Sequence, residues 1–358
     1  MSNSLINLEK NSHYFSKVTR LINTGTFRLG LSLTVSGLAL YLALHDVDLV
    51  KVGQALGNAQ AGYVGLALIS VMVNVLSKAS RWQVLIGGDH GETSNVEIGS
   101  DAVDTQVGFS NIFKALMVGQ MLNWVFPARI GDISRIYVIG RMGPGRSFVL
   151  GTVALEKVLD VLAYALLFLG LLLVLPLPIW ISESGYYLTV LAVLLLFSVV
   201  ILAKYQTWFV RLLERITVWM PEKIRVYLIP RVQKGLGSLG VMRRISDLLQ
   251  LGLWSILVWG TAVWTNHLIA QALGLDISWT AAIATLVVLQ VGISFSQVPG
   301  MVGIFQYACI LTLAIFGVDQ VYGLSYGILL HITVMLPIII LGLFFFWQLE
   351  LKNVKWHE

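Results

Sequence analysis

Charge is what this sequence has least of. Only 12% of its 358 residues are Asp, Glu, Lys or Arg, about half the roughly 25% of an ordinary soluble chain. Between Asp247 and Glu350 the only charged residues are Asp276 and Asp319. A soluble domain cannot solvate its surface with so few charges. Cysteine is almost absent too. Cys309 stands alone in an apolar run, which excludes an intrachain disulfide and a cysteine metal site. There is no Walker A sequence, no metal-ligand cluster and no nucleophile elbow, so ATP hydrolysis, a metal and a cofactor are not expected. What is present is apolar: 57% of residues, against roughly 45–50% in a globular protein. The fold class that follows is all-α, a polytopic transmembrane helical bundle. The pI near 9.2 then reflects topology, and nucleic acid is excluded as a partner. The first apolar run, Leu29 to Leu44, lacks a small-residue cleavage site after it, which predicts a retained span and not a signal peptide.

Runs of about 20 apolar residues cross a bilayer as helices. They occur at 28–45, 61–82, 148–175, 185–203, 251–273 and 322–349. Two further apolar regions are interrupted: 111–140 by Pro127, and 279–318 by Pro299-Gly300. Orientation follows from Lys and Arg. Residues 1–28 carry Lys10, Lys17, Arg20 and Arg28 against Glu9. Residues 204–247 carry nine basic and three acidic residues, and 129–146 carry four Arg and one Asp. These segments are expected in the cytoplasm. The remaining connections carry Asp46, Asp48, Glu183, Asp276 and Asp319 against Lys51, and are expected outside. This predicts a cytoplasmic N-terminal segment at 1–27, one integral-membrane domain at 28–350, and a tail at 351–358.

Parity constrains the interrupted regions. A single crossing at 111–126 would put both Arg129 to Arg146 and the basic 204–247 segment outside. Region 111–140 must therefore enter and leave from the cytoplasm, as a re-entrant hairpin or as two short crossings. Region 279–318 must do the same from outside. Two broken hairpins from opposite faces predict an inverted repeat. Secondary transporters place substrate sites at such interruptions, where irregular backbone is buried or lines a cavity.

Two other segments read as solvated or interfacial. The acidic stretch 87–110 (Asp89, Glu92, Glu97, Asp101, Asp104) is too scattered for a calcium loop. In 204–247, Trp208, Phe209, Leu212, Leu213, Ile216, Trp219 and Met220 alternate with Arg211 and Arg215. That pattern predicts an interfacial helix on an anionic leaflet.

Three constellations carry candidate chemistry. In the first, Asn123-Trp124 precedes Pro127, Arg129, Gly131, Asp132, Ser134 and Arg135. A hairpin tip here would hold arginines in the membrane, where an unpaired guanidinium is costly and a phosphate is a natural partner. An ordinary cytoplasmic loop is the plainer alternative. In the second, Thr152, Glu156, Lys157 and Asp160 lie on a span, with Glu156 and Asp160 on one face. Arg129 and Arg135 are their expected partners, in a structural lock or a gate. In the third, Gln297 precedes Pro299, Gly300, Gly303, Phe305 and Gln306. Its glycines allow tight turning, and a half-helix starting there would favour an anion at its N-terminus. His267 and His331 read as packed or hydrogen-bonding helix residues. Lys78, Arg81 and Trp82 read as snorkelling and interface anchors.

In order and spacing, these constellations resemble the integral-membrane domain of the lysylphosphatidylglycerol synthase/flippase family, whose best-known member is the multiple peptide resistance factor. The resemblance rests on Arg81-Trp82, on Asn123 with Pro127, Arg129, Gly131, Asp132 and Arg135, on Glu156, Lys157 and Asp160, and on Pro299, Gly300, Gly303 and Phe305. It covers about 28–349. Gln306 stands where the family pattern has Glu, which puts a charge role at that position in doubt. The resemblance implies a membrane domain that moves lipids or lipid-linked precursors between leaflets. The synthase carries a further aminoacyltransferase domain, for which 204–247 is too short, so lysyl transfer by this chain is not expected.

The function expected is thus a lipid translocase in the cell (inner) membrane. Arg129, Asp132, Arg135, Glu156, Asp160 and Gln306 are its expected substrate-binding residues. Pro127, Gly131, Pro299, Gly300 and Gly303 are the expected structural breaks, with no catalytic residue. Membrane lipids with anionic headgroups are the expected partners; a homo-oligomer and a separately encoded synthase stay open. The alternative is a membrane enzyme or accessory subunit acting on lipid-linked sugar or aminoacyl donors.

Overall fold

The apolar runs become helices in the computed structural model, which describes residues 25–45, 47–87, 107–126, 129–174, 179–295 and 298–353. No strand occurs among them. The helices are α1 (Gly25–Leu44), α2 (Leu49–Gly57), α3 (Ala61–Gly87), α4 (Phe109–Val125), α5 (Ile130–Gly140), α6 (Arg146–Val174), α7 (Ile179–Lys204), α8 (Gln206–Ile216), α9 (Glu222–Gly237), α10 (Ile245–Ala272), α11 (Trp279–Phe295), α12 (Ile304–Ile315) and α13 (Gln320–Asn353). Among the described residues, four helices are long and apolar enough to cross a membrane: α3, α6, α10 and α13. A fifth span is counted if α7 is taken together with α8, to which it is bent by 89°. The chain is a multi-pass membrane protein. Pro127, Gln297, the N-terminal segment to residue 24, most of the acidic 87–110 stretch and the tail beyond Asn353 lie outside the described residues.

The central pair is α3 against α10. Their contacts run in opposite directions along the two helices. The Gln60 N–H donates to the Ala272 carbonyl at the start of α3. Ser70 Oγ donates to the Thr261 carbonyl and receives the Thr265 hydroxyl, and Asn74 reaches the Val258 carbonyl. Arg81 meets Ser255 near the far end. Polar side chains that hydrogen-bond a neighbouring helix bind spans together where lipid provides no hydrophobic drive between them.

Each partner of this antiparallel pair is followed by a helical hairpin and a long helix. The unit α3–α4–α5–α6 corresponds to α10–α11–α12–α13. Their packing is reciprocal: α4 lies on α13, and α11 lies on α6. Each hairpin also packs on its own following helix, α5 on α6 and α12 on α13. Because α3 and α10 are antiparallel, the two units are inverted and their hairpins enter from opposite ends, as the parity of the sequence requires.

Both hairpins are broken at the tip. Arm α5 has 11 residues and α12 has 12, so each is about 16–18 Å long at 1.5 Å per residue. Neither crosses a core of about 30 Å, which favours re-entrant hairpins over pairs of crossings. The close approach of α4 to α5 depends on glycine. A Cβ at Gly131 would strike the Gly119 carbonyl oxygen, and one at Gly119 would strike Arg135. At the second tip, Gly303 has φ +87 and packs on the Ser36 carbonyl of α1, so a Cβ is excluded on both counts.

Segment 204–247 divides into α8, a 3-10 turn at Thr217–Trp219, α9 and a 3-10 turn at Ser238–Arg243. Trp208, Ile216 and Trp219 are exposed, as an interfacial helix requires. Helix α9 is less detached than an amphipathic anchor. It packs on α6, where Gly151 meets the Gly235 carbonyl and Ser238.

Candidate functional site

The two tips meet. Helix α4 packs against the Pro299–Met301 turn of the second hairpin, and Arg129 at the first tip points a guanidinium nitrogen at the Ile293 carbonyl, 3.5 Å away. Between them lies a cavity of about 370 Å³. Only two non-glycine residues among those described have positive φ, Arg129 at 51° and Met301 at 54°. They sit one at each tip, and both line the cavity. Left-handed backbone costs a non-glycine residue about 1–2 kcal/mol, and such strain concentrates at functional sites.

One wall is charged. Arg135, buried on α5, reaches Asp132 at 3.0 Å and Glu156 of α6 at 3.2 Å. Its guanidinium carbon lies 4.8 Å from the Trp82 ring centre, within cation–π range. The Trp82 indole N–H donates to Thr152 Oγ at 3.1 Å. Lys157 reaches Asp132 from the other side at 3.5 Å. The first tip is held by Asn123, whose amide oxygen accepts the Gly131 N–H at 2.9 Å and whose amide nitrogen donates to Asp132 at 3.2 Å. This cap satisfies one of the N–H groups that a helix start leaves open.

Asp160 finds a different partner from the one expected. Arg81 of α3, only 1% exposed, takes it at 2.7 Å. Arg129 makes no ion pair with either α6 carboxylate among the described residues. Nor are Arg81 and Trp82 interface anchors. Helix α3 continues through Val84, Leu85 and Ile86 to Gly87, so both residues lie inside the bundle, and Trp82 is fully buried. Lys78, also read as a snorkelling residue, lines the cavity. The adjacency of Arg81 and Trp82 in the motif was the one sequence signal for their role. Nothing marked Lys78.

The second half carries no such charge. Gln306 of α12 accepts the Gly303 N–H at 2.8 Å and bonds His331 Nδ1 of α13 at 2.9 Å. His331 stacks on Phe305, ring centres 4.6 Å apart, and lies 5.3 Å from Trp124. Gln306 thus caps α12 and locks it to α13. It is not among the residues lining the cavity. Pro299 and Gly300 form the turn, with Gly300 at φ 66°. His267 stacks on Trp279, ring centres 4.2 Å apart, as a packed helix residue would.

The rest of the cavity is apolar with scattered polar groups. Val71, Leu116, Leu289 and Val334 are lining residues, and Asn74, Gln120, Tyr164 and Trp259 add polarity. No group of three or more His, Cys, Asp or Glu suited to a metal occurs among the described residues. Among known proteins, the profile of the family described as Lysylphosphatidylglycerol synthase TM region matches residues 29–342. No curated protein matches the chain.

Proposed function

The chain belongs to the lysylphosphatidylglycerol synthase transmembrane-region family, and from that premise we propose that it is a lipid translocase. It moves a phospholipid or lipid-linked precursor between leaflets by passing the headgroup through the cavity at the hairpin tips, while the acyl chains stay in lipid. The observation that carries this proposal is the meeting of two inverted, broken hairpins at one cavity with a charged wall, lined by a strained residue from each. Arg129 reaches the headgroup phosphate. Arg135, held by Asp132 and Glu156, gives the wall its fixed field. Asp160 holds Arg81. A membrane enzyme would call for a free carboxylate base, whereas Asp132, Glu156 and Asp160 are all engaged in ion pairs, so translocation is favoured.

In this proposal the protein sits in the cell membrane with a cytoplasmic N-terminus, supported by the basic 204–247 segment, and its partners are membrane lipids with anionic headgroups. A homo-oligomer or a separately encoded synthase is compatible with it. The test is reconstitution in liposomes with a headgroup-labelled lipid. Faster leaflet exchange than in protein-free vesicles is expected. Chemical modification of the lipid without exchange would point to the enzyme alternative instead.

A further inference from the structure

The charges around the cavity do not balance. In one cluster, Lys78 and Arg81 stand beside Asp160. Arg81 takes the carboxylate, and Lys78 makes no ion pair among the described residues. In the other, Arg135 and Lys157 pair with Asp132 and Glu156, while Arg129 lines the same cavity and makes no ion pair among the described residues. Counted by side-chain type, each cluster has one more basic group than carboxylate. Three of the five unpartnered buried polar atoms among the described residues point the same way. Gln120 Nε2 and Trp259 Nε1 on the wall, and Arg81 Nε behind it, are all nitrogens without an acceptor. Trp259 is only 8% exposed, and its ring is fixed edge-on to Tyr164 at 4.6 Å, so its N–H has little freedom to find another partner.

A wall with surplus cations and unanswered N–H donors is short of two things: negative charge and acceptor oxygens. A phosphate supplies both. An ammonium-bearing headgroup adds positive charge and further donors, and the carboxylates that could receive it are already paired. We propose that the cavity selects a phosphate headgroup carrying no cationic group, with Lys78 as a residue that sets this selectivity. The lipid nature of the ligand rests on the translocase proposal; the charge selection does not. A phosphodiester of a glycerolipid and a phosphomonoester of a polyprenyl lipid share the required chemistry.

The test uses the full chain in phosphatidylcholine nanodiscs, with lipid binding read by native mass spectrometry. Phosphatidylglycerol, a polyprenyl phosphate, phosphatidylethanolamine and a cationic aminoacyl ester of phosphatidylglycerol are titrated in turn. The anionic pair is expected to bind at least about tenfold more tightly than the other two, which is the scale of one charge-assisted contact. The stronger of the pair identifies the phosphate type. Lys78→Gln is expected to remove most of the preference, and Lys78→Arg to retain it. Trp259→Phe, which removes the N–H together with the five-membered part of the ring, is expected to weaken anionic binding by at least roughly threefold. Equal binding across charge classes, or a folded Lys78→Gln protein with wild-type preference, would overturn the proposal. If Lys78→Gln does not fold, the wild-type series and Trp259→Phe still decide. Anionic preference without leaflet exchange would refute translocation alone; exchange without preference would refute the selectivity alone.

Discussion

The two inverted halves use the same geometry with opposite chemistry. In the first, a side chain on the second hairpin arm reaches the following long helix as an ion pair, Arg135 to Glu156. In the second, the equivalent reach is a neutral hydrogen bond, Gln306 to His331. Each half also caps its second arm with a side-chain amide oxygen, Asn123 on Gly131 and Gln306 on Gly303. The backbone problem of stopping a helix inside the membrane is therefore solved twice in the same way. The charge is confined to one side. The comparison separates what the architecture demands, a capped and glycine-packed tip, from what this protein adds, a fixed field on one wall.

Removing one partner from each reach should expose the difference. Glu156→Ala leaves the buried Arg135 short of charge and should cost about 3–5 kcal/mol, as buried pairs do when broken. It should give the largest fall in thermal midpoint of the purified protein. A small effect would mean that Asp132 alone suffices for Arg135, and that the ion pair is not what distinguishes the halves. Gly131→Ala drives a Cβ into the Gly119 carbonyl oxygen and should cost about 2–3 kcal/mol by overpacking. Gly300→Ala, with only Val302 near its Cβ position, should cost about 1 kcal/mol through its positive φ. Equal losses at the two glycines would show that conformation, not close approach, sets the glycine requirement. Gln306→Ala should cost about 1–2 kcal/mol for an uncapped N–H and a lost partner of His331. A loss as large as that of Glu156→Ala would erase the contrast between the halves.

Four of the six expected spans, and the broken hairpins, were legible because they depend on local composition. Long apolar runs, charge asymmetry and parity placed the hairpins, and Pro299-Gly300 marked one tip directly. The partners were not legible, because they depend on helix ends and on distance through space. Ending the second span at Trp82 made Arg81 a surface residue. Five more helical residues, Gln83 to Gly87, put it inside and gave it Asp160. Arg129 and Arg135 sit in one motif, yet a left-handed residue at the helix start points them to different places. Gln306 keeps the cap of its helix without a charge, which explains in physical terms how a neutral residue serves where the family pattern has Glu.

The most direct test of the cavity as the path is Arg129→Gln. This residue lines the cavity, is exposed and makes no ion pair among the described residues. Both side chains are non-glycine, so the backbone strain at the tip is unchanged. The measurement is leaflet exchange of a headgroup-labelled lipid in liposomes, alongside the thermal midpoint. Exchange slowed by about tenfold or more, the scale of one charge-assisted contact, with an unaltered midpoint, is the predicted result. Wild-type exchange by the Arg129→Gln protein would contradict passage of the headgroup between the two tips.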